Sequence, residues 1–331
     1  MNNIGVGMAI TGCGSAAPES ILTNDHLAQM VDTSDEWINA RTGMKNRHIA
    51  SPSESLSQLS AVAAKGAIAM AGISPTDIDL IILATSTPDD LFGSACKIQG
   101  LIGATNAVAF DLTAACSGFL FALITASQFI STGIYKNVLI IGADVLSRWV
   151  DWSDRTSCIL FGDGAGAAVC QGVANNRLLS FGMYSNGSQN DSLNLNYHGD
   201  SKPLVEEITA QQGFYNPITM NGREVYRFAV AKVPEALSKA MFQANLTADD
   251  IDWLLLHQAN QRIMDAVAKR LNIPQSKILS NIAEYGNTSA ASIPLALDAA
   301  VRDGRVKPGD TIAASGFGAG LAWGSAIFKW G

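Results

Sequence analysis

Three residues of this 331-residue chain have the side chains that acyl chemistry needs: Cys116 in DLTAACSGFLFAL, His257 in WLLLHQAN and Asn287 in AEYGNTSAASIPLAL. A thiol just ahead of a helix sits at the positive end of the helix macrodipole, which favours thiolate and makes the sulfur a nucleophile near neutral pH. The small neighbours Ala114, Ala115, Ser117 and Gly118 leave room for a substrate carbonyl. Packing as a small buried hydrophobe is the ordinary fate of a free cysteine, and it is the reading for Cys13, Cys96, Cys158 and Cys170. His257 follows an apolar run and so lies at a carboxyl strand end, where ligands bind in α/β sheets. Asn287 offers an amide N–H that cannot titrate. Taken singly, His257 also fits a core histidine and Asn287 a helix cap. The set is more specific than its members. Cys, His and Asn in that chain order also occur in papain-like proteases, but nothing around Cys116 matches the protease signature, and internal duplication is not expected of that fold.

The elements that must position these residues come in two matching series. Cys116 and Asn287 are 171 positions apart, and the same shift lays Gly133 on Gly304, so each of the two residues opens a helix that ends in glycine. Likewise ISPTDIDLIIL at 73–83 matches LTADDIDWLLL at 246–256 after a shift of 173. The chain therefore reads as a tandem duplication, with residues 1–175 carrying the cysteine and 176–331 the histidine and asparagine. Strands are expected at IGVGMAITGCG, IDLIILATS, NAVAFDL, NVLIIGADV and AGAAVCQG, then at LLSFGMYS, WLLLHQ, KILSNI, DTIAASG and GSAIFKW. Helical periodicity falls between them, most clearly at 55–72, 117–133, 225–245, 260–272 and 288–304. Such alternation implies mostly parallel sheets covered by helices. Residues 183–217, rich in Asn, Ser and Gly, read as a long functional loop.

Composition bounds the function. With 48% hydrophobic and 15% charged residues the chain can bury a large core. A net charge of −7 argues against nucleic acid as a partner. The amino-terminal stretch has no basic region followed by a long apolar run, and FLFALITASQFI is far short of the roughly 20 residues of a membrane span, so a cytoplasmic protein is expected. Five cysteines without close pairing suit a reducing compartment, and no cysteines or histidines have metal-ligand spacing. Two glycine patterns are read as decoys. Gly12-x-Gly14 is followed by Pro18 and a turn, a poor helix start for a dinucleotide fingerprint, and Gly162, Gly164 and Gly166 precede a strand instead of a helix, so close backbone packing is the better account of the second pattern.

AACSGF around Cys116, HQAN at 257–260, GNTSAAS at 286–292, the terminal GFGAGLAWGSA, TSDEWINARTG and FGDGAGAA together resemble the thiolase superfamily, and within it the beta-ketoacyl-acyl-carrier-protein synthases III. The resemblance spans essentially the whole chain. It implies a duplicated five-layered αβαβα fold with two mixed sheets, a homodimer without cofactor, and the condensation of acetyl-CoA with malonyl-acyl carrier protein that initiates fatty-acid synthesis. Elongating condensing enzymes carry two histidines with the cysteine and degradative thiolases a second cysteine, so Cys-His-Asn selects the initiating type, with plant polyketide synthases the weaker match. By the same resemblance the oxyanion donors are the backbone N–H groups of Cys116 and of the turn Phe317–Gly320, Ala319 among them. Trp37, Arg41 and Arg155 face the CoA adenine, Gly222, Asn260 and Phe317 the pantetheine arm, and Phe92 crosses the dimer interface. Arg223 stands where the family usually has Asn, and Gly93 where it has Pro. Arg227, Arg262, Lys269 and Arg270 form an expected docking face for the acidic carrier protein. Two other readings remain open at this point: an acyltransferase of secondary metabolism on the same scaffold, with another primer or acceptor, and a catalytically idle thiolase-fold partner protein.

Overall fold

The computed structural model describes residues 5–331. Two five-stranded mixed sheets dominate it. The first is built from β1 (Gly7–Ala16), β2 (Leu80–Ala84), β3 (Val108–Leu112), β4 (Asn137–Val145) and β5 (Asp163–Val173), in the spatial order β1-β5-β4-β2-β3. The second uses β6 (Leu178–Ser185), β7 (Trp253–Leu256), β8 (Ile278–Leu279), β9 (Thr311–Gly318) and β10 (Ala322–Lys329), in the order β6-β10-β9-β7-β8. The two orders correspond strand for strand, and in both the first three strands pair antiparallel and the last three parallel. Ile4, the expected start of the first strand, lies outside the described residues.

The helices of eight or more residues are α1 (Asp35–Thr42), α2 (Leu56–Ala71), α3 (Ala95–Ile102), α4 (Gly118–Ser131), α5 (Gly222–Gln243), α6 (Gln261–Leu271) and α7 (Ser292–Arg302). The sheets are apolar on both faces because both are covered. Along β2, Leu80, Ile82 and Ala84 join the core around Phe119, Leu123, Ile293 and Leu297 of α4 and α7, whereas Ile81 and Leu83 point the other way to Ala63, Ala67 and Ile98 of α2 and α3. In β7 the same period of two sends Leu255 to the middle core, and Leu254 and Leu256 to Phe228, Leu237 and Met264 of α5 and α6. The result is five layers, helix, sheet, helix, sheet, helix, with α4 and α7 in the middle. Leu27, Ile38, Met44 and the segment Cys158–Phe161 also pack in the outer core of the second half.

The duplication extends to single hydrogen bonds. Asp79 and Asn137 exchange N–H···O=C and N–H···Oδ2 bonds of 2.9 and 2.8 Å, and Asp252 and Thr311 repeat them at 3.0 and 2.8 Å. At the helix starts the correspondence differs from the expected one. Ala115 and Ser289 both have positive φ, 47° and 50°, and both are followed by the first residues of α4 and α7, so the shift is 174 and Cys116 corresponds to Ala290. Asn287 lies three positions earlier. The shift falls back to 171 at Gly133 and Gly304 because α7 is three residues shorter than α4.

The expected loop at 183–217 is largely ordered structure. After β6, Leu193–Asn194 pairs with Thr219–Met220, and Tyr197–Val205 pairs with Ile208–Tyr215 as an exposed hairpin. Its turn is Glu206-Glu207, which lacks the Gly or Asn that marks a two-residue hairpin in sequence. The glycine decoys behave as packing positions: a Cβ on Gly12 or Gly14 would lie 2.3 Å from the Ala67 or Ala63 carbonyl oxygen of α2, and one on Gly166 would lie 2.7 Å from Pro294 of α7.

Candidate active site

Cys116, His257 and Asn287 line one cavity of about 130 Å³ together with Gly222, Asn260, Phe317 and Gly318. Each arrives from a different element. Cys116 sits in the turn Ala115–Ser117 ahead of α4, where the Ser117 hydroxyl donates to the Ala114 carbonyl at 2.7 Å. His257 directly follows β7, its N–H bonded to the Ser315 carbonyl of β9 at 2.9 Å. Asn287 is pinned as an isolated bridge beside Phe161, donating to the Leu160 carbonyl and accepting from the Gly162 N–H at 2.9 and 3.0 Å. Gly286 before it has φ 63°, and a Cβ there would lie 2.8 Å from the Leu160 oxygen, so glycine is required. Arg47, fully buried and missed by sequence reasoning, braces the same segment by donating from Nε to the Ile159 carbonyl at 2.8 Å.

Hydrogen bonds fix which atoms face the cavity. The Asn287 Oδ1 accepts the Ser289 N–H at 2.9 Å, which leaves the Nδ2 protons for the cavity. At His257, Nδ1 lies 2.7 Å from the Ser292 Oγ, which also accepts the Gln258 N–H at 3.3 Å. The Ser292 hydroxyl can rotate to donate to Nδ1 while still accepting from Gln258, and on that arrangement the ring proton is assigned to Nε2. Burial pulls the His257 pKa down to about 3, so the imidazole is neutral at physiological pH. Phe317 packs edge-on against this ring with centroids 5.3 Å apart, adding to its exclusion from water. Two uncharged N–H donors therefore face the cavity beside the sulfur.

The sulfur itself is held in a buried setting that disfavours its anion. Burial pushes the Cys116 thiol up to about 12 from an ordinary 9.0, and Asp144 adds to the effect. Burial and the helix macrodipole thus act in opposite directions on this sulfur, and burial is what raises the free thiol.

The duplication shows where an oxyanion can sit. In the second copy the Ala290 N–H donates to the Asp144 carboxylate at 3.2 Å. Its counterpart in the first copy is the Cys116 N–H, and the counterpart of Asp144 is Gly318. A Cβ on Gly318 would lie 2.7 Å from the Cys116 nitrogen. The same backbone cradle that holds a carboxylate oxygen in one copy is thus open to a substrate oxygen in the other. Ala319 lines a second, apolar cavity of about 80 Å³ behind Cys116, with Leu146, Phe161, Leu195 and Ile218.

The remaining expected residues divide. Arg41 and Arg155 flank the Trp37 ring, with guanidinium carbons 4.6 and 5.0 Å from its centre. Asn260 caps α6, accepting from the Arg262 N–H at 2.9 Å and donating to the Arg41 carbonyl at 3.1 Å, so both ends of its amide serve the fold. Arg223 is exposed, and Asn221 caps α5. Arg262, Lys269 and Arg270 are exposed on α6, where Arg270 bonds the Val230 carbonyl of α5, and Arg227 pairs with Glu224 at 2.8 Å. Phe92 is fully exposed and does not line the cavity of its own chain.

The His257 environment makes a stability prediction. Its folded pKa is depressed, so its contribution is complete above the unfolded value of 6.5 and is lost as pH falls toward about 3, where the unfolded chain takes up the proton and the folded one does not. This amounts to on the order of 3–5 kcal/mol. Urea unfolding followed from pH 7 to 3.5 should show the decline, and His257→Gln should flatten it.

Comparison with known proteins agrees with the site. Profiles described as 3-Oxoacyl-[acyl-carrier-protein (ACP)] synthase III and its C-terminal region match residues 110–187 and 241–330. The beta-ketoacyl-[acyl-carrier-protein] synthase III of Acaryochloris marina is 66% identical over 330 residues, covering 100% of this chain and 99% of that one, and the Synechocystis sp. protein of the same name is 62% identical with full coverage of both. The crystal structure of 3-oxoacyl-[acyl-carrier-protein] synthase III from Aquifex aeolicus superposes with a TM-score of 0.89 at 43% identity, covering 98% of this chain and 100% of that one. With the duplicated fold, the cysteine, histidine and asparagine on one cavity and similarity along the whole chain, this protein belongs to the beta-ketoacyl-acyl-carrier-protein synthase III family of condensing acyltransferases.

Proposed function

We propose that this enzyme joins acetyl-CoA to malonyl-acyl carrier protein, giving acetoacetyl-acyl carrier protein, the initiating condensation of fatty-acid synthesis. The observation that carries the reading is the convergence of one thiol and two neutral N–H donors on a single cavity. In the first half-reaction the Cys116 sulfur attacks the thioester carbonyl, the oxyanion forms against the Cys116 N–H, and CoA leaves with the acyl group retained on sulfur. In the second, loss of carbon dioxide from the malonyl thioester leaves an enolate whose oxygen is held by His257 Nε2–H and Asn287 Nδ2–H. Its carbon then attacks the acyl-cysteine. Neutral donors suit this step because they stabilise the enolate without protonating its carbon. The small apolar cavity behind Cys116 supports a short acyl primer.

Trp37 between two arginines supports a site for the adenine end of CoA. Trp37→Ala should raise the KM for acetyl-CoA roughly tenfold with little change in kcat, since this binding is uniform through the reaction; steady-state kinetics on both parameters checks it. Carrier-protein docking on Arg227, Arg262, Lys269 and Arg270 is supported by their exposure on α5 and α6, the two helices whose first turns border the cavity at Gly222, Val225 and Ile263. A homodimer is supported by the unpaired edge of β3 and the exposed Leu91 and Phe92 beside it.

Intact-mass analysis tests the reaction. Acetyl-CoA should add one acetyl group to the wild type and none to Cys116→Ala, and malonyl-acyl carrier protein should discharge it as a carrier-bound beta-ketoacyl product. An adduct that other acceptors discharge and malonyl-acyl carrier protein does not would instead indicate the secondary-metabolism acyltransferase. No adduct with any acyl-CoA would overturn the catalytic reading.

A further inference from the structure

The two copies of the catalytic turn meet at the sulfur, and each brings one side chain to it. In the first copy the left-handed residue is Ala115, at φ 47°, and the residue after it is the nucleophile. In the second the left-handed residue is Ser289, at φ 50°, and the residue after it is Ala290. The Ser289 Oγ lies 3.3 Å from Cys116 Sγ, and both residues are buried. A side chain on a left-handed backbone costs strain, yet this position carries a hydroxyl where its counterpart Ala115 has none. Ser289 lines the smaller apolar cavity of about 80 Å³ with Ala115 and Cys116, not the one that His257 and Asn287 share with the sulfur. The nearby Asp144 carboxylate takes its hydrogen bonds elsewhere. Its Oδ1 accepts from Thr85 Oγ1, the Ser86 N–H and Thr87 Oγ1 at 3.1, 2.8 and 3.0 Å, and its Oδ2 from the Ala290 N–H at 3.2 Å. The Ser289 N–H is committed as well, donating to Asn287 Oδ1 at 2.9 Å. The hydroxyl is what Ser289 has left for the sulfur.

We propose that the Ser289 hydroxyl is a catalytic hydrogen-bond donor to the Cys116 sulfur, holding the thiolate as it attacks the acyl donor. The thiol gives its proton to water, and once that proton has gone the hydroxyl is the donor of the pair, since the sulfur then offers only lone pairs. Ser289 keeps its own proton throughout. As the S–C bond forms, the carbonyl electron pair moves to oxygen; when the adduct collapses, the bond to the CoA sulfur breaks and that thiolate takes a proton from water. The same donor meets the sulfur again when condensation expels it as an anion. Burial pushes the Cys116 thiol up, the Ser289 hydroxyl opposes that rise, and Asp144 adds to it. The titratable groups that face the sulfur are this carboxylate of β4 and, on the substrate cavity, the neutral His257. The Ser289–Ala291 turn, α4, β9 and the start of β10, which pack around it, contain none. A hydroxyl aimed at the anion thus offsets part of the burial penalty without placing a cation in the site.

The experiment measures, from pH 6 to 10, the rate of Cys116 alkylation by iodoacetamide and of single-turnover acetylation by acetyl-CoA, for the wild type, Ser289→Ala and Ser289→Gly. Both variants keep the backbone N–H on Asn287, and glycine accepts φ 50° without strain, so the pair isolates the hydroxyl and keeps the test decisive if alanine disturbs the turn. Losing a hydrogen bond to the anion cuts the thiolate population about 10–100-fold, and the higher nucleophilicity of the less stabilised thiolate restores roughly half of that on a logarithmic scale. Both rates should therefore fall on the order of 3–10-fold in both variants, the rate–pH curve keeping its shape and moving to higher pH, with the half-saturating acetyl-CoA concentration unchanged. Wild-type rates in both variants overturn the proposal. A deficit in Ser289→Ala that Ser289→Gly lacks overturns it too, because the turn and not the hydroxyl is then the cause. Normal alkylation with slow acetylation also overturns it, since the hydroxyl then does nothing to the sulfur. The inference rests on the proposed attack of Cys116 on acyl-CoA, but iodoacetamide needs none. A wild type that alkylates and takes no acyl group overturns the acyl-CoA reading alone, and the alkylation comparison still decides the role of Ser289.

Discussion

Replacing Gly318 by alanine should slow acylation of Cys116 by on the order of 10²–10³, the cost typical of losing one oxyanion donor. The argument comes from the duplication. Ala290 and Cys116 occupy matching turns, and the Ala290 N–H is covered by Asp144 of β4. The matching position on β9 is glycine, and any side chain there would begin 2.7 Å from the Cys116 nitrogen and 3.0 Å from its Cβ. An alanine methyl can be accommodated only by moving the strand end or the nucleophile, which costs about 1–3 kcal/mol of stability and blocks the N–H. Single-turnover acetylation with a parallel thermal melt checks this. A folded variant that acylates at the wild-type rate would remove the Cys116 N–H from the mechanism.

Much of the fold was legible in the sequence because both sheets are buried on both faces, so their strands appear as unbroken apolar runs such as Leu80–Ala84 and Val138–Ile141. The hairpin Tyr197–Tyr215 was not, since it is solvent-exposed and carries no apolar period, and Glu206-Glu207 gives no turn signal. That Cys116, His257 and Asn287 belong together was legible from residue type and flanking motif, and the three do line one cavity. The residues that tune it were not. Ser289 and Ser292 share the segment of Asn287 but look there like ordinary small residues, Asp144 and Arg47 come from two distant segments, and a buried carboxylate or arginine looks in sequence like any surface charge. The 171-residue match between Cys116 and Asn287 failed for a related reason: sequence comparison anchored on the glycines ending the helices, whereas the three-residue difference in length is taken up at their starts. The corrected register made Gly318 interpretable.

His257→Ala should divide the two half-reactions. Acetylation of Cys116 should proceed at close to the wild-type rate, because His257 is hydrogen-bonded to Ser292 and the Cys116 sulfur to Ser289. Condensation should fall on the order of 10²–10³, because the enolate loses the Nε2–H donor and keeps only the Asn287 amide. The partition follows from two features of the fold. Ser292 at the start of α7 holds Nδ1 at 2.7 Å and so leaves Nε2 for the cavity, and burial keeps the ring from taking a second proton anywhere near neutral pH. Accordingly the condensation rate of the wild type should show no inflection at the ordinary histidine value of 6.5. Quenched-flow measurement of each half-reaction separately tests both statements. If acetylation falls together with condensation, His257 takes part in removing the thiol proton. If only condensation falls, His257 acts on the enolate oxygen alone, as its place in the cavity beside Cys116 implies.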